Sequence, residues 1–354
     1  MRKFIGVALL SVALLVGSAE TRAQSALLSL PRSSQHSRTT QRIGITDITI
    51  DYHRPLVGGR KIFGGLLAYG QVWRAGANEN TIIEFSDPVS IEGQPLAKGI
   101  YGFHMIPGET SWVVIFSKNA TSWGSFSYDQ AEDALRVTVK PQFIENEEAL
   151  TYDFDNPKPD STVVTMRWEK VAVPFKIGVN TPEIVEQSLQ NQLRGRVQFE
   201  WAAWEEAANY LLDNKLSTEE AAKYADHSVD LEDRFETEIT KSRALTALGR
   251  NQEALVARDK AISMATQQEV HDFGRGLQFK GRQDEALDLF RANIKKDPNT
   301  WVAHNEAARI AVAKGDFDTA IKEMKLAASL APEPLKAQHQ DIVRRLEDKQ
   351  DINR

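Results

Sequence analysis

In the last third of the chain, glycine, alanine and proline return on a fixed count. The segment GRQDEALDLFRANIKKDP from Gly281 is followed by GDFDTAIKEMKLAASLAP from Gly315, which sets Gly281 and Gly315, Ala286 and Ala320, and Pro298 and Pro332 34 residues apart. A fainter copy, GRNQEALVARDKAI, begins 32 residues earlier at Gly249, and KLSTEEAAKYADHSV from Lys215 gives a fourth. Such a period belongs to a supersecondary unit rather than to one helix, because a unit that cannot bury its apolar face alone must stack on its neighbours. Leu287 and Phe290, or Ile321 and Met324, supply an apolar stripe, while Ala286 and Ala320 allow two helices to approach closely. The glycine permits the left-handed residue that ends the first helix of each pair. Thr181 followed by Pro182 predicts a helix start, and Ser217 with Glu220 predicts a capping box.

The spacing and the small-residue pattern resemble the tetratricopeptide repeat. That resemblance implies paired antiparallel helices stacked into an α-solenoid whose concave face takes a protein or peptide. Gly281, Ala286, Phe290, Pro298, Gly315, Ala320 and Pro332 are the residues expected to set the packing. A plainer use of the same helices is to buttress the rest of the chain or its dimer.

Upstream, from Ile43 to Ile177, the dominant period is two. In DITIDYH, Ile48, Ile50 and Tyr52 alternate with Asp47, Thr49 and Asp51, the pattern of a strand with one buried face. Similar runs begin at Thr81, Ile100, Ser111, Leu135, Leu150 and Thr162, with turns predicted at Glu92-Gly93, Lys98-Gly99, Pro107-Gly108 and Asn156-Pro157. Short strands at this spacing without intervening helices predict an antiparallel β-sandwich or jelly roll. The expected whole is therefore an α+β multidomain chain: residues 24–178 a β-sandwich, residues 179–354 the helical repeats.

Residues 1–23 complete the division. Arg2 and Lys3 precede an apolar run from Phe4 to Val16, with small residues after it, the order of a secretory signal peptide cut after Ala23. A periplasmic or secreted location is the expectation, with no membrane span after cleavage, since a spanning helix needs about 20 apolar residues. The chain contains no cysteine, which excludes disulfides and thiolate metal ligands. A formal charge of −6 argues against nucleic acid as a partner.

Candidate chemistry concentrates in YHRPLVGGRKIFGGLLAYGQVWRAGANENT, which holds Tyr52, Arg54, Arg60, Trp73, Arg74 and Asn78. The order YHRP, GGRKIFG, VWRAGANENT, KGIYGFHMIPG, WVVIFSK and SWG, from about Leu30 to Ile177, is similar to the domain-of-unknown-function family numbered 2911. The resemblance implies an exported bacterial protein, often of the Bacteroidota, and implies no activity. In the central motif that family often has threonine where Ala75 stands.

Three arginines near two aromatics and two carboxamides suit a carboxylate, phosphate or sugar, because a guanidinium grips anions through two donors and an indole face stacks on a sugar ring. The alternative is structural, with Arg54 and Arg74 paired to Asp47, Asp51, Glu79 or Glu84 and Trp73 in the core. His53 and His104 lie on predicted strands without a third ligand nearby, so no metal and no cofactor are expected. Asp51 and Glu84 offer paired acids if their strands are neighbours. DFDNPKPD lacks the glycine and closing glutamate of a calcium loop. Trp112, Trp123 and Trp168 are expected in the core rather than on a glycan platform. No nucleophile elbow, phosphate loop or dinucleotide fingerprint occurs. The sequence points to an exported, non-enzymatic binding or scaffolding protein of the cell envelope whose repeats hold a protein or peptide; a glycan- or anion-binding, or glycan-processing, β module with the repeats as accessory is the alternative.

Overall fold

The computed structural model describes residues 31–353. The expected signal peptide, residues 1–23, lies outside them. The chain divides into two compact units at Ile184/Val185, inside a helix.

The first unit is built from β1 (Gln35–Ile43), β2 (Thr46–Arg54), β3 (Ile82–Phe85), β4 (Val89–Ile91), β5 (Gln94–Leu96), β6 (Gly99–Ile106), β7 (Trp112–Ser117), β8 (Asp133–Val139), β9 (Gln142–Lys158) and β10 (Ser161–Gly178). Two sheets result, in the orders β1-β2-β3-β6-β7-β8 and β5-β4-β10-β9. Every named pairing is antiparallel. The two-residue alternation decides which face is buried. Ile48, Ile50 and Tyr52 of β2 turn inward beside Ile83, Phe85, Phe103, Met105 and Phe116, and Asp47, Thr49 and Asp51 turn out. Opposite them stand Val164, Met166 and Trp168, then Val173, Phe175 and Ile177, all of β10. The inward set changes from even to odd numbers because β10 carries bulges on both sides of Glu169, which takes φ 54°.

Two turn expectations separate here. Glu92 and Gly93, both at positive φ, join β4 to β5, as two-residue hairpins require. Asn156-Pro157 is not the turn: β9 runs through it, with Asn156 at φ 49° opposite a register shift, and the chain reverses at Pro159-Asp160. Strands β1, β4 and β5 were not among the expected runs, because β1 is mostly polar and the other two are three residues each.

After α1 (Thr181–Gln192) come α2 (Trp201–Asp213), α3 (Thr218–Leu231), α4 (Phe235–Ala247), α5 (Asn251–Met264), α6 (Gln267–Phe279), α7 (Gln283–Asn293), α8 (Trp301–Ala313), α9 (Phe317–Leu330) and α10 (Glu333–Glu347). They pair α2 with α3, α4 with α5, α6 with α7 and α8 with α9, a tetratricopeptide-like solenoid arrangement. Ala286, Phe290, Ala320 and Met324 are fully buried within the pairs. A Cβ on Gly274 of α6 would run into the Phe290 ring of α7, so that glycine sets the closeness of one pair. Pro332 sits at the N-cap of α10, and Pro298 lies in the turn before α8.

The first helix of every pair ends in the same way. Gly249, Gly281 and Gly315 take φ of 75°, 74° and 76° just past α4, α6 and α8. At Gly281 the glycine amide donates to Gln278 O and the next amide to Leu277 O, both at 2.9 Å, the double bond of a Schellman turn. Lys215 after α2 and Lys349 after α10 adopt φ 54° with the same bond pattern, although lysine pays for the left-handed region with Cβ strain. Ser217 caps α3 through the Glu220 amide, but the reciprocal half of the expected box is absent: Glu220 pairs with Lys223 at 2.5 Å instead. The full box is found at Thr266 and Glu269 of α6.

These turns are separable from packing because a Cβ on Gly281 would meet nothing within 4 Å. Gly281→Ala is expected to lower stability by about 1–2 kcal/mol, and Lys215→Gly to raise it by up to about 1 kcal/mol. Denaturant midpoints at constant slope measure both, and equal midpoints for Gly281→Ala and the parent would remove the turn from the account.

Candidate functional site

Residues 55–81, between β2 and β3, carry most of the expected site. Two anchors hold this stretch. Glu169, at the bulge of β10, accepts from the amides of Ile62 at 3.3 Å and Phe63 at 3.4 Å. Further along, Trp73 exchanges two backbone bonds of 2.8 Å with Met105 of β6, and Thr81 O accepts from the Phe103 amide at 2.8 Å. Residues 74–80 therefore leave β6 and return to it as a closed loop.

Side-chain donors fill the inside of that loop. Arg74 donates to Asn78 O at 2.8 Å, the Trp73 indole to Gly76 O at 3.0 Å, and the Tyr152 hydroxyl to Ala75 O at 2.6 Å. Ala75 and Asn78 stand at φ 48° and 58°, turning these carbonyls toward the donors. Burial pulls the Arg74 guanidinium below its ordinary pKa, with Glu79 opposing. Arg74 thus locks the loop, as the structural alternative had it, but through a carbonyl rather than an ion pair. Glu79 is already taken by Arg32 at 2.9 Å and His53 at 3.3 Å.

The other arginines follow the same rule. Arg54 donates to Leu150 O at 3.0 Å, and Arg60 to Val57 O at 2.9 Å and to Leu56 O. Among the described residues no carboxylate lies within ion-pair distance of Arg54, Arg60 or Arg74. Asp51 and Glu84 do share a cation, Arg38, at 3.8 and 3.9 Å. Tyr52 is a core residue, its ring edge-on to Tyr152 at 4.8 Å. Trp73 stacks on Trp168 at 5.7 Å, with Phe63 and Trp112 completing the cluster. Trp123 differs from Trp112 and Trp168: it is 46 % exposed on a loop, beneath Arg32. Asn78 donates to Ser34 O at 3.3 Å.

Of the six expected residues, Trp73 and Arg74 line one cavity, of about 270 Å³, with Leu66, Leu67, Ser125 and Phe126. Behind it lies His104, on the outward face of β6 yet buried, its Nδ1 2.8 Å from Ser125 Oγ. Burial pushes this imidazole down to about 4, with Asp133 opposing. So weak a base does not activate a serine hydroxyl at neutral pH. Ser125 and Phe126 sit on a loop whose sequence gives no sign that it reaches Arg74.

In the helical unit, α6, α8 and α10 line a cavity of about 480 Å³ whose walls include His271, Arg275, Asn305, Arg309, His339 and Arg345. His271, Asn305 and His339 stand 34 residues apart, as do Arg275 and Arg309. These residues were missed, although the repeat that revealed the fold also spaces them. Arg309 is 5 % exposed; burial, then the neighbouring Arg275 and Arg345, pulls it down to about 9, so it stays charged at neutral pH. Burial pushes Glu306 up to about 8 and His271 down to about 3, which makes their 3.3 Å contact a bond between neutral groups. A second cavity, of about 600 Å³, lies among α4, α5, α6 and α7. Its cations are matched: Arg243 reaches Asp213 at 2.6 Å and Glu285 at 3.1 Å, and Arg258 reaches Asp259 at 2.7 Å.

His104 gives the β unit a pH signature. Its folded pKa lies below the ordinary 6.5, so its neutral form contributes stability above pH 6.5 that is lost as pH falls toward 4. The loss is on the order of 3 kcal/mol. His104→Gln, which retains a partner for Ser125, is expected to flatten the difference between unfolding midpoints at pH 7 and pH 4.5; an unchanged difference would show that His104 does not cause it.

Solved structures similar to the helical part include MamA, 19 % identical over 45 % of this chain and 92 % of that one, at a TM-score of 0.28. YrrB, described as a TPR protein with an unusual peptide-binding site, is 20 % identical over 46 % of this chain and 84 % of that one, at 0.24. The APC/C hetero-tetramer Cut9–Hcn1 gives 18 % over 48 % of this chain and 34 % of that one, at 0.27. No curated protein matches the chain. Residues 34–177, which hold the sandwich and the locked loop, match the family described as Protein of unknown function (DUF2911).

Proposed function

We propose that this chain is an exported, non-enzymatic binding or scaffolding protein of the cell envelope, and that its helical repeats hold a protein or peptide partner. Export is supported by the order of charge, apolar run and small residues at the start of the sequence. Binding is supported by one observation above all: hydrogen-bonding side chains recur at equivalent positions of α6 and α8, and again at His339 of α10, along one cavity. A surface repeated at helix-pair intervals suits an extended polypeptide, which repeats its own backbone groups. The weak His104 base argues for the non-enzymatic reading in the β unit.

A second reading, anion or glycan binding by the β unit, is favoured by the cavity where Arg74 and Trp73 meet Phe126. It is the weaker of the two because Arg54 and Arg60 do not line that cavity and Arg74 is already bonded to Asn78 O.

Capture from envelope extract by the full chain and by a chain stopped after Gly178 separates the readings. Partners held by the full chain and lost without the helices are the expected result. Retention of all of them by the shorter chain would overturn the proposal.

A further inference from the structure

One wall of the arginine-lined cavity is a segment of the chain itself. The Schellman turn at Lys349 ends α10, and the residues after it lie along the cavity wall, where Ile352 is 2 % and Asn353 5 % exposed. Arg309 donates to Ile352 O at 2.5 Å and Arg275 to the same oxygen at 3.5 Å. Arg345 reaches Asp351 O at 3.4 Å. Asn353 accepts from Gln278 at 2.9 Å and donates to Arg309 O at 3.0 Å. The Ile352 side chain packs with Ala308, Ala311, Val312 and Leu346. Backbone carbonyls read by arginines, one apolar anchor and one carboxamide bonded in both directions are the contacts by which a groove holds an extended peptide.

The fit is incomplete in charge. Arg275, Arg309 and Arg345 come from three successive repeats, and among the described residues no carboxylate is within ion-pair distance of any of them. Asp272 and Asp341 also line the cavity, and each is engaged elsewhere, by Gln268 at 2.8 Å and Arg344 at 2.8 Å. Glu306 holds its proton near neutral pH. The segment carries one acid of its own, Asp351, whose charge acts on Arg309 and whose Oδ1 accepts from the Asn353 amide. Its hydrogen bonds to the guanidinium groups come from carbonyl oxygen, whereas a carboxylate would give each two charged acceptors.

We propose that Gln350–Asn353 is a built-in occupant of a groove for an acidic peptide, and that such a peptide binds by displacing it. This rests on the peptide-binding reading above and names its partner class and its regulation. A segment joined directly to α10 competes at an effective concentration in the millimolar range, so it masks all but tighter ligands.

Fluorescence anisotropy with a labelled peptide Asp-Asp-Ile-Asp tests the proposal. Three proteins are compared: the full chain, a chain stopped after Lys349, and the full chain with Asn353→Ala, which keeps Ile352 and guards against a truncated chain that does not fold. Binding at least about 10-fold tighter after truncation, an intermediate gain for Asn353→Ala, and loss of the gain on adding Arg345→Ala are expected. Equal binding by all three proteins would overturn the masking role. Absence of binding by folded truncated chain, shown by circular dichroism, would overturn the acidic class. If the helices still capture a partner from extract in either case, the peptide-binding reading stands and only this inference fails. If capture fails while the acidic probe behaves as expected, the envelope partner is the part of the broader reading that falls, and peptide binding stands.

Discussion

A backbone carbonyl that has lost its helical partner must find another, and the helical unit solves this in one way at the end of α2, α4, α6, α8 and α10. A single left-handed residue folds two amides back onto the last turn. Because the turn is closed by its own bonds, the second helix of each pair leaves in a direction set locally. Ala286 and Ala320 then need only be small for the pairs to close. The lateral surface follows from the same constraint: with each first helix stopped at an equivalent residue, His271, Asn305 and His339 come to equivalent positions. The last of these turns, at Lys349, also sends the chain back along the cavity instead of away from it.

In the sandwich, the same shortage of partners is met by side chains. The loop of residues 74–80 has no regular ladder, and Arg74, Trp73 and Tyr152 each supply a donor to one of its carbonyls. A carbonyl is the cheaper partner for a half-buried guanidinium here, because an ion pair would require desolvating a carboxylate as well. The available one, Glu79, is held by Arg32 and His53. An arginine beside a tryptophan in this motif thus reports first on how a turn is kept closed.

Legibility followed the range of the interactions. The period of two on β2 and the period of 34 in the helices were readable because each is a local rule repeated: face alternation in one case, a left-handed stop in the other. Gly249, Gly281 and Gly315 announced their turns, whereas Lys215 and Lys349 hold the same turns without an announcing residue. Where a partner is distant in sequence, residue type was not enough. Nothing in SWGSFS shows that Ser125 lies against His104, and nothing in VWRAGANENT shows that Tyr152 closes its loop. The expected ion pairs failed for the same reason, since an arginine's type says that it needs an acceptor and not which acceptor is nearest. Asn156-Pro157 looked like a turn because asparagine tolerates the positive φ of some turns, and here it takes that φ inside a strand at a register shift instead.

The two helical cavities show how charge separates a structural cleft from a receptive one. Around Arg243 the guanidinium meets Asp213 and Glu285 of neighbouring helices, Arg258 is held by Asp259, and the charges balance within the fold. Around Arg309 the fold instead gathers two further arginines, and of the two acids that act on it, Glu306 and Asp351, burial keeps the proton on Glu306. Concentrating like charge in a buried place costs stability, and packing alone offers no return for it, since apolar residues of similar volume would fill the space at lower cost. On the proposal above, such an arrangement serves negative charge arriving from outside, where the carbonyl groups of Asp351 and Ile352 and the Asp351 charge meet the guanidinium groups only in part.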